Sequence, residues 1–99
     1  MLNVLKNKDN GFLSVSLEGR LDTTTAPQLE KELNESIEGV TSLTLDMNKL
    51  DYISSAGLRV LLSAQKKMNA QGSMRVINVG ETIMEIFEVT GFSDILTIE

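Results

Sequence analysis

Two hydrophobic periods alternate along this 99-residue chain. Near the N-terminus, apolar and polar residues exchange at every second position, as a half-buried strand requires. Leu13, Val15 and Leu17 fall on one side, and Phe12, Ser14, Ser16 and Glu18 on the other. This pattern predicts strands over residues 2–7 and 12–18, joined through Lys8-Asp9-Asn10-Gly11. Asn-Gly accepts the positive φ angles of a tight turn, so the pair reads as an antiparallel hairpin. Gly19-Arg20-Leu21-Asp22 leaves the second strand, and the period then becomes helical. Leu29, Leu33 and Ile37 stand at i, i+4 and i+8. Thr25 and Gln28 have the spacing of a capping box, Pro27 lies in the first turn, and Gly39 closes the helix.

The same alternation continues to the C-terminus. Leu43, Leu45 and Met47 predict a third strand over 43–47, with Asp46 at its C-terminal end and a loop over 48–53. Ser54 and Ser55 are suited to cap the next helix. Its inner face is Leu58, Leu61, Leu62 and Met68, its outer face Arg59, Ser63, Lys66 and Lys67, and Gly72 ends it. Residues 74–79 carry few polar side chains and read as a central strand. Thr82 and Glu85 form a second capping-box pattern ahead of Ile83, Ile86 and Phe87. Gly91-Phe92 resembles a Schellman ending, and 95–98 reads as a last short strand. The order is β-β-α-β-α-β-α-β. Alternation of strand and helix implies right-handed crossovers and parallel pairing, so the expectation is one α/β domain over 1–99 with helices packed on a mixed sheet.

Composition narrows the chemistry. Apolar residues are 41% of the chain, enough for a globular core. Cysteine and histidine are both absent, which excludes disulfides, thiolate metal sites, histidine general bases and Ser-His-Asp triads. A net charge of −5 argues against a nucleic-acid partner, which requires a basic surface. No apolar run approaches the ~20 residues of a membrane span, and the N-terminus lacks the continuous apolar region of a signal peptide. A soluble, cytoplasmic protein is expected.

Ligand sites of open α/β sheets lie beyond the C-terminal ends of the strands. Here that edge would hold residues 22–25, 46–55 and 80–82. The hydroxyls among them serve equally well as helix caps. Asp22, Asp46 and Asp51 could offer oxygens to Mg²⁺, although loop aspartates are more often simply hydrated. Ala56 and Gly57 are small and would leave the helix start accessible. A helix N-terminus suits an anion, and Arg59, one turn from Ser55, could pair with a phosphate there. No glycine-rich phosphate loop is present. With no base and no phosphate cradle, the chain is expected not to be an enzyme and to need no cofactor.

The stretch Leu-Asp-Tyr-Ile-Ser-Ser-Ala-Gly-Leu-Arg-Val-Leu-Leu, from Leu50 to Leu62, resembles the signature of the STAS domain, the family of bacterial anti-sigma factor antagonists. The correspondence runs through Ile53, Ser54, Ser55, Ala56, Gly57 and Leu58. Gly19-Arg20-Leu21-Asp22 with its threonines resembles the family's second marker, and Leu45-Asp46 and Val89-Thr90-Gly91-Phe92 also fit. The resemblance implies that Ser55 is a phosphorylation site, with Ser54 as the fallback, because many members carry Asp where this chain has Ser54. It implies an anti-sigma factor that is an ATP-dependent serine kinase as partner, a sigma factor released when the two bind, and a phosphatase that resets the switch. It implies a partner surface of Asp22, Thr23, Thr24, Ser54, Ser55, Ala56, Gly57 and Arg59, on a monomer or weak dimer.

Two other classes compete. One is a STAS-type interaction subunit of a transport or stress-signalling assembly, working without phosphorylation. The other is a nucleotide-binding domain using Asp22, Asp46 and Ser55.

Overall fold

Strand β1 (Leu2–Asp9) and strand β2 (Phe12–Leu21) form the expected hairpin in the computed structural model. Asn10, with φ 55°, makes the turn. Helix α1 (Ala26–Ser36) leads to strand β3 (Ser42–Ile53) and helix α2 (Ser55–Gln71). Strand β4 (Ser73–Ile77) and helix α3 (Glu81–Thr90) follow, with a 3-10 turn over Phe92–Asp94. The sheet order is β1-β2-β3-β4, with β1–β2 antiparallel and the other pairs parallel, so it is mixed as expected.

One face of the sheet forms the core. Leu13, Val15, Leu17, Leu43, Leu45, Met47 and Val76 are buried there beneath Leu29, Leu33, Leu61, Met68, Ile83 and Phe87 of the helices. Phe12, Ser14 and Glu18 point to the opposite, open face.

Several boundaries differ from the sequence reading. Strand β2 does not end at Glu18. Gly19 adopts φ +107°, a conformation costly for any side chain, and the strand resumes through Arg20 and Leu21. Residues 48–53 are strand, not loop, because they pair with 18–21 of β2. The pairing slips twice, between Ser16 and Glu18 and between Gly19 and Arg20. Each slip inserts one extra residue in β3. The buried positions Met47, Leu50 and Ile53 are therefore three apart rather than two. Asp46 is consequently mid-strand, level with Ile77 at the end of β4. Seven residues, roughly 20 Å of strand, separate it from Ile53.

Strand β4 is not central. Beyond it lies only an isolated parallel bridge, Val76 to Ile98, which is all that forms of the expected strand over 95–98. Neither capping box closes. Gln28 Nε2 donates to the Leu2 carbonyl at 3.1 Å, and Thr25 makes no side-chain cap bond. Helix α3 starts at Glu81 with Gly80 in the cap position, two residues too early for Thr82 to serve. Gly91 takes the left-handed conformation at the end of α3, and Phe92 packs against the core, as its spacing implied.

Candidate functional site

Leu21 and Ile53 are register partners at the ends of parallel β2 and β3. The Ser54 N–H donates to the Leu21 carbonyl at 2.9 Å, extending the ladder by one bond. The two chains therefore leave the sheet side by side, one into Asp22, the other into Ser54 and Ser55. The loop before α1 and the start of α2 become a single surface, which the sequence held 32 residues apart in register.

Asp22 organises its half of that surface. Its Oδ1 accepts from the Thr24 N–H at 3.0 Å, the Thr24 hydroxyl at 2.8 Å and the Thr25 N–H at 3.1 Å. Thr25 is buried; its hydroxyl accepts from the Asp22 N–H at 2.8 Å and donates to the Arg20 carbonyl at 2.8 Å. The Thr24 hydroxyl is the largest influence holding the Asp22 carboxyl down at about 2 from 3.8; partial desolvation opposes it, and the Thr24 and Thr25 N–H groups reinforce it. Asp22 is thus a fixed negative charge at neutral pH. Thr23 is exposed beside it.

On the α2 side the two serines divide their roles. Ser54 is extended (φ −100°, ψ 175°) and its Oγ accepts from the Gly57 N–H at 3.4 Å, the geometry of a helix cap. Ser55 is the first helical residue, is exposed, and its hydroxyl has no partner within the protein. Arg59 is exposed on the next turn and makes no ion pair. Ala56 is half-buried.

Gly57 does not leave an accessible backbone. It is buried, and a Cβ there would stand 2.7 Å from Leu21 Cγ and 2.9 Å from Ile53 Cγ1. Its small size lets α2 cross closely over the ends of β2 and β3. Nor do Asp22, Asp46 and Asp51 converge: no group of three acidic side chains gathers to hold a metal ion. Asp46 instead accepts from the Asn48 N–H at 3.0 Å and Asn78 Nδ2 at 3.1 Å, level with the end of β4.

Two residues of this end escaped the sequence reading. Arg20 and Tyr52 are register partners, and the guanidinium carbon lies 4.4 Å from the centre of the Tyr52 ring. Arg20 Nε is 3.7 Å from Asp22 Oδ2. Both lay in segments read as loop, so their facing was hidden.

No helix of the structure is long and apolar enough to cross a membrane. The family model described as the STAS domain matches residues 3–99. The chain is 35% identical over 99 residues to BtrV of Bordetella bronchiseptica, a candidate anti-sigma factor antagonist, covering 98% of this chain and 85% of BtrV. It is 30% identical over 98 residues to the anti-sigma-B factor antagonist of Listeria monocytogenes, covering 96% of this chain and 85% of that one. Among solved structures it matches the phosphorylated form of the Bacillus cell fate determinant SpoIIAA with a TM-score of 0.77 at 18% identity, over 98% of this chain and 91% of that chain. At that identity the last match speaks for the fold alone. The family model spans nearly the whole length and the sequence relatives are matched almost end to end, so this chain belongs to the STAS domain family.

Proposed function

We propose that this chain is an anti-sigma factor antagonist. It binds an anti-sigma factor that is also an ATP-dependent serine kinase, a sigma factor is freed, and phosphorylation of Ser55 ends the interaction. A phosphatase restores the binding form. The chain acts by occupancy and is not itself an enzyme. Its binding surface is the shared end of β2 and β3: Asp22, Thr23 and Thr24 on one side, Ser54, Ser55, Ala56 and Arg59 on the other, with Gly57 beneath them as a packing residue.

The observation that carries this reading is the difference between the serines. The Ser54 hydroxyl is occupied in capping α2, whereas the Ser55 hydroxyl is exposed and free to enter a kinase active site. Ser55 is therefore the acceptor, and Ser54 is its support. The names of the sequence relatives favour the antagonist role, and a protein of the same fold exists in a phosphorylated form.

Electrostatics give the switch its direction. A phosphate adds about −1.5 to −2 charges near neutral pH. On the first residue of α2 it meets the positive helix pole, so the fold tolerates it. A docked partner would have to bury that charge beside the ionised Asp22, at a cost of several kcal/mol for an unpaired ion. Each ~1.4 kcal/mol is tenfold in affinity, so release needs no refolding.

The test is to incubate the purified chain with the anti-sigma factor of the same genome and ATP, and to locate the phosphate by mass spectrometry. Calorimetry then compares partner affinity before and after modification. Phosphate on Ser55 and loss of affinity support the proposal. Equal affinity of the two forms would replace it with an interaction module that works without phosphorylation. Nucleotide retained by the isolated chain would favour the nucleotide-binding class.

A further inference from the structure

We infer that Arg20, lying over the Tyr52 ring, is a specificity-determining contact that requires an acidic side chain on the anti-sigma factor. This deepens the antagonist reading and rests on it.

Arg20 and Tyr52 are register partners in adjacent strands and project to the same side. Their neighbours Leu21 and Ile53 are buried, so alternation carries Arg20 and Tyr52 to the open face of the sheet. Arg20 stands two residues before Asp22 and Tyr52 two before Ser54, which makes them continuous with the proposed docking end. The Arg20 side chain keeps 55% of its surface exposed although two neighbours restrain it. Tyr52 stacks beneath the guanidinium at 4.4 Å, and Asp22 Oδ2 lies 3.7 Å from Nε. Neither terminal nitrogen has a partner within the protein, so the outer edge of the fork is free.

That free edge decides what it would take. Two parallel N–H donors fit a carboxylate in bidentate fashion. The stack and the Asp22 contact hold the fork in place beforehand, which lowers the ordering cost of binding. Arginine and tyrosine are also the residue types that most often dominate interface energetics. The setting is selective, because the chain has 14 acidic and 9 basic residues and would as a whole repel an acidic surface. Arg20, like Arg59, is a local exception, and its strand partner Tyr52 lies three residues before the phosphoacceptor. An anti-sigma factor with a carboxylate opposite Arg20 is accepted, and one with a basic residue there is refused.

The test uses the full chain and the anti-sigma factor of the same genome, with affinities read by calorimetry at low and high salt. Arg20→Ala is expected to weaken binding about tenfold and Arg20→Glu about a hundredfold, with reduced salt dependence. Tyr52→Phe keeps the ring and should bind as the native chain does; Tyr52→Leu should fall between native and Arg20→Ala. Melting midpoints should be unchanged. Reversing one acidic residue of the partner to arginine should restore binding to Arg20→Glu, which a purely structural role for Arg20 would not produce. If Arg20→Glu disturbs folding, the neutral Arg20→Gln replaces it. Arg20 variants that bind within about twofold of native, or a loss that no partner reversal repairs, would overturn the inference while leaving the antagonist reading intact. A native chain that does not bind the anti-sigma factor would overturn both.

Discussion

Leu21 Cγ lies where a Cβ on Gly57 would come within 2.7 Å of it. This contact fixes how closely helix α2 crosses the ends of β2 and β3, and so where Ser55 stands relative to Asp22. The Ser54–Leu21 hydrogen bond joins the same two segments through the backbone. Together they make one rigid corner from two stretches distant in sequence.

Gly57→Ala tests that corner. Alanine favours a helix interior over glycine by up to about 1 kcal/mol. Against this, the new methyl meets Leu21 Cγ and Ile53 Cγ1, both inside 3.0 Å and both near the stems of buried side chains. Overpacking of that kind costs about 1–3 kcal/mol, so the net change should be a loss of stability. Chemical denaturation reads it; a variant as stable as the native chain would mean that the helix shifts at no cost.

The two serines should separate by stability. Ser54→Ala removes the cap of α2. The bond is long at 3.4 Å, so the loss belongs at the lower end of the cap range, about 0.5–1 kcal/mol. Ser55→Ala removes an exposed hydroxyl without a partner and should stay within about 0.5 kcal/mol of native. Urea melts of the two variants side by side decide the matter. Equal losses would contradict the division of labour between cap and acceptor.

Ser55→Asp should fold as the native chain does, or gain about 0.3–1 kcal/mol, because a carboxylate is favourable at the first residue of a helix. Its affinity for the anti-sigma factor should fall at least about tenfold, equivalent to 1.4 kcal/mol, although less than for phosphoserine, which carries nearly twice the charge. Titration calorimetry measures both forms. A Ser55→Asp chain that binds as tightly as native would remove charge as the cause of release.

Asp22 sets the acid limit of this corner. Its carboxyl is lowered from 3.8 to about 2 in the folded chain, so between those values the unfolded chain binds more protons than the folded one. Its contribution is complete above about pH 4 and is lost as pH falls toward 2. Thr24→Val removes the hydroxyl that contributes most and should move the Asp22 titration upward, read from its carboxyl carbon by NMR. Asp22→Asn should flatten this part of the stability-versus-pH curve. An unchanged Asp22 titration in Thr24→Val would show that the hydroxyl does not hold the charge.

The local features of the corner were legible because their causes are local. A serine before an i, i+3, i+4 stripe of leucines marks a helix start in any context, and α2 begins at Ser55 behind its Ser54 cap. The hairpin turn at Asn10 and the stop at Gly91 follow from backbone preferences of single residues in the same way. Order, parallel pairing and the inner face of β2 came from periodicity alone.

What the sequence by itself determined is therefore the existence and order of the elements from β1 to α3, the buried face of β2 and the two serines at a helix start. Pairing decided the rest. Buried residues spaced by three at Met47, Leu50 and Ile53 do not read as a strand, because a strand repeats by two. They become one only when β2 lies alongside and two bulges absorb the extra residues. With β3 extended to Ile53, Asp46 moved away from the serines, Asp22 moved beside them, and Arg20 met Tyr52 across the strands. Gly57 likewise reads as accessible in one dimension and is buried in three, because Leu21, 36 residues earlier, fills the space its missing side chain leaves. Contacts between segments so far apart depend on how two elements dock, and no local pattern of residues encodes that.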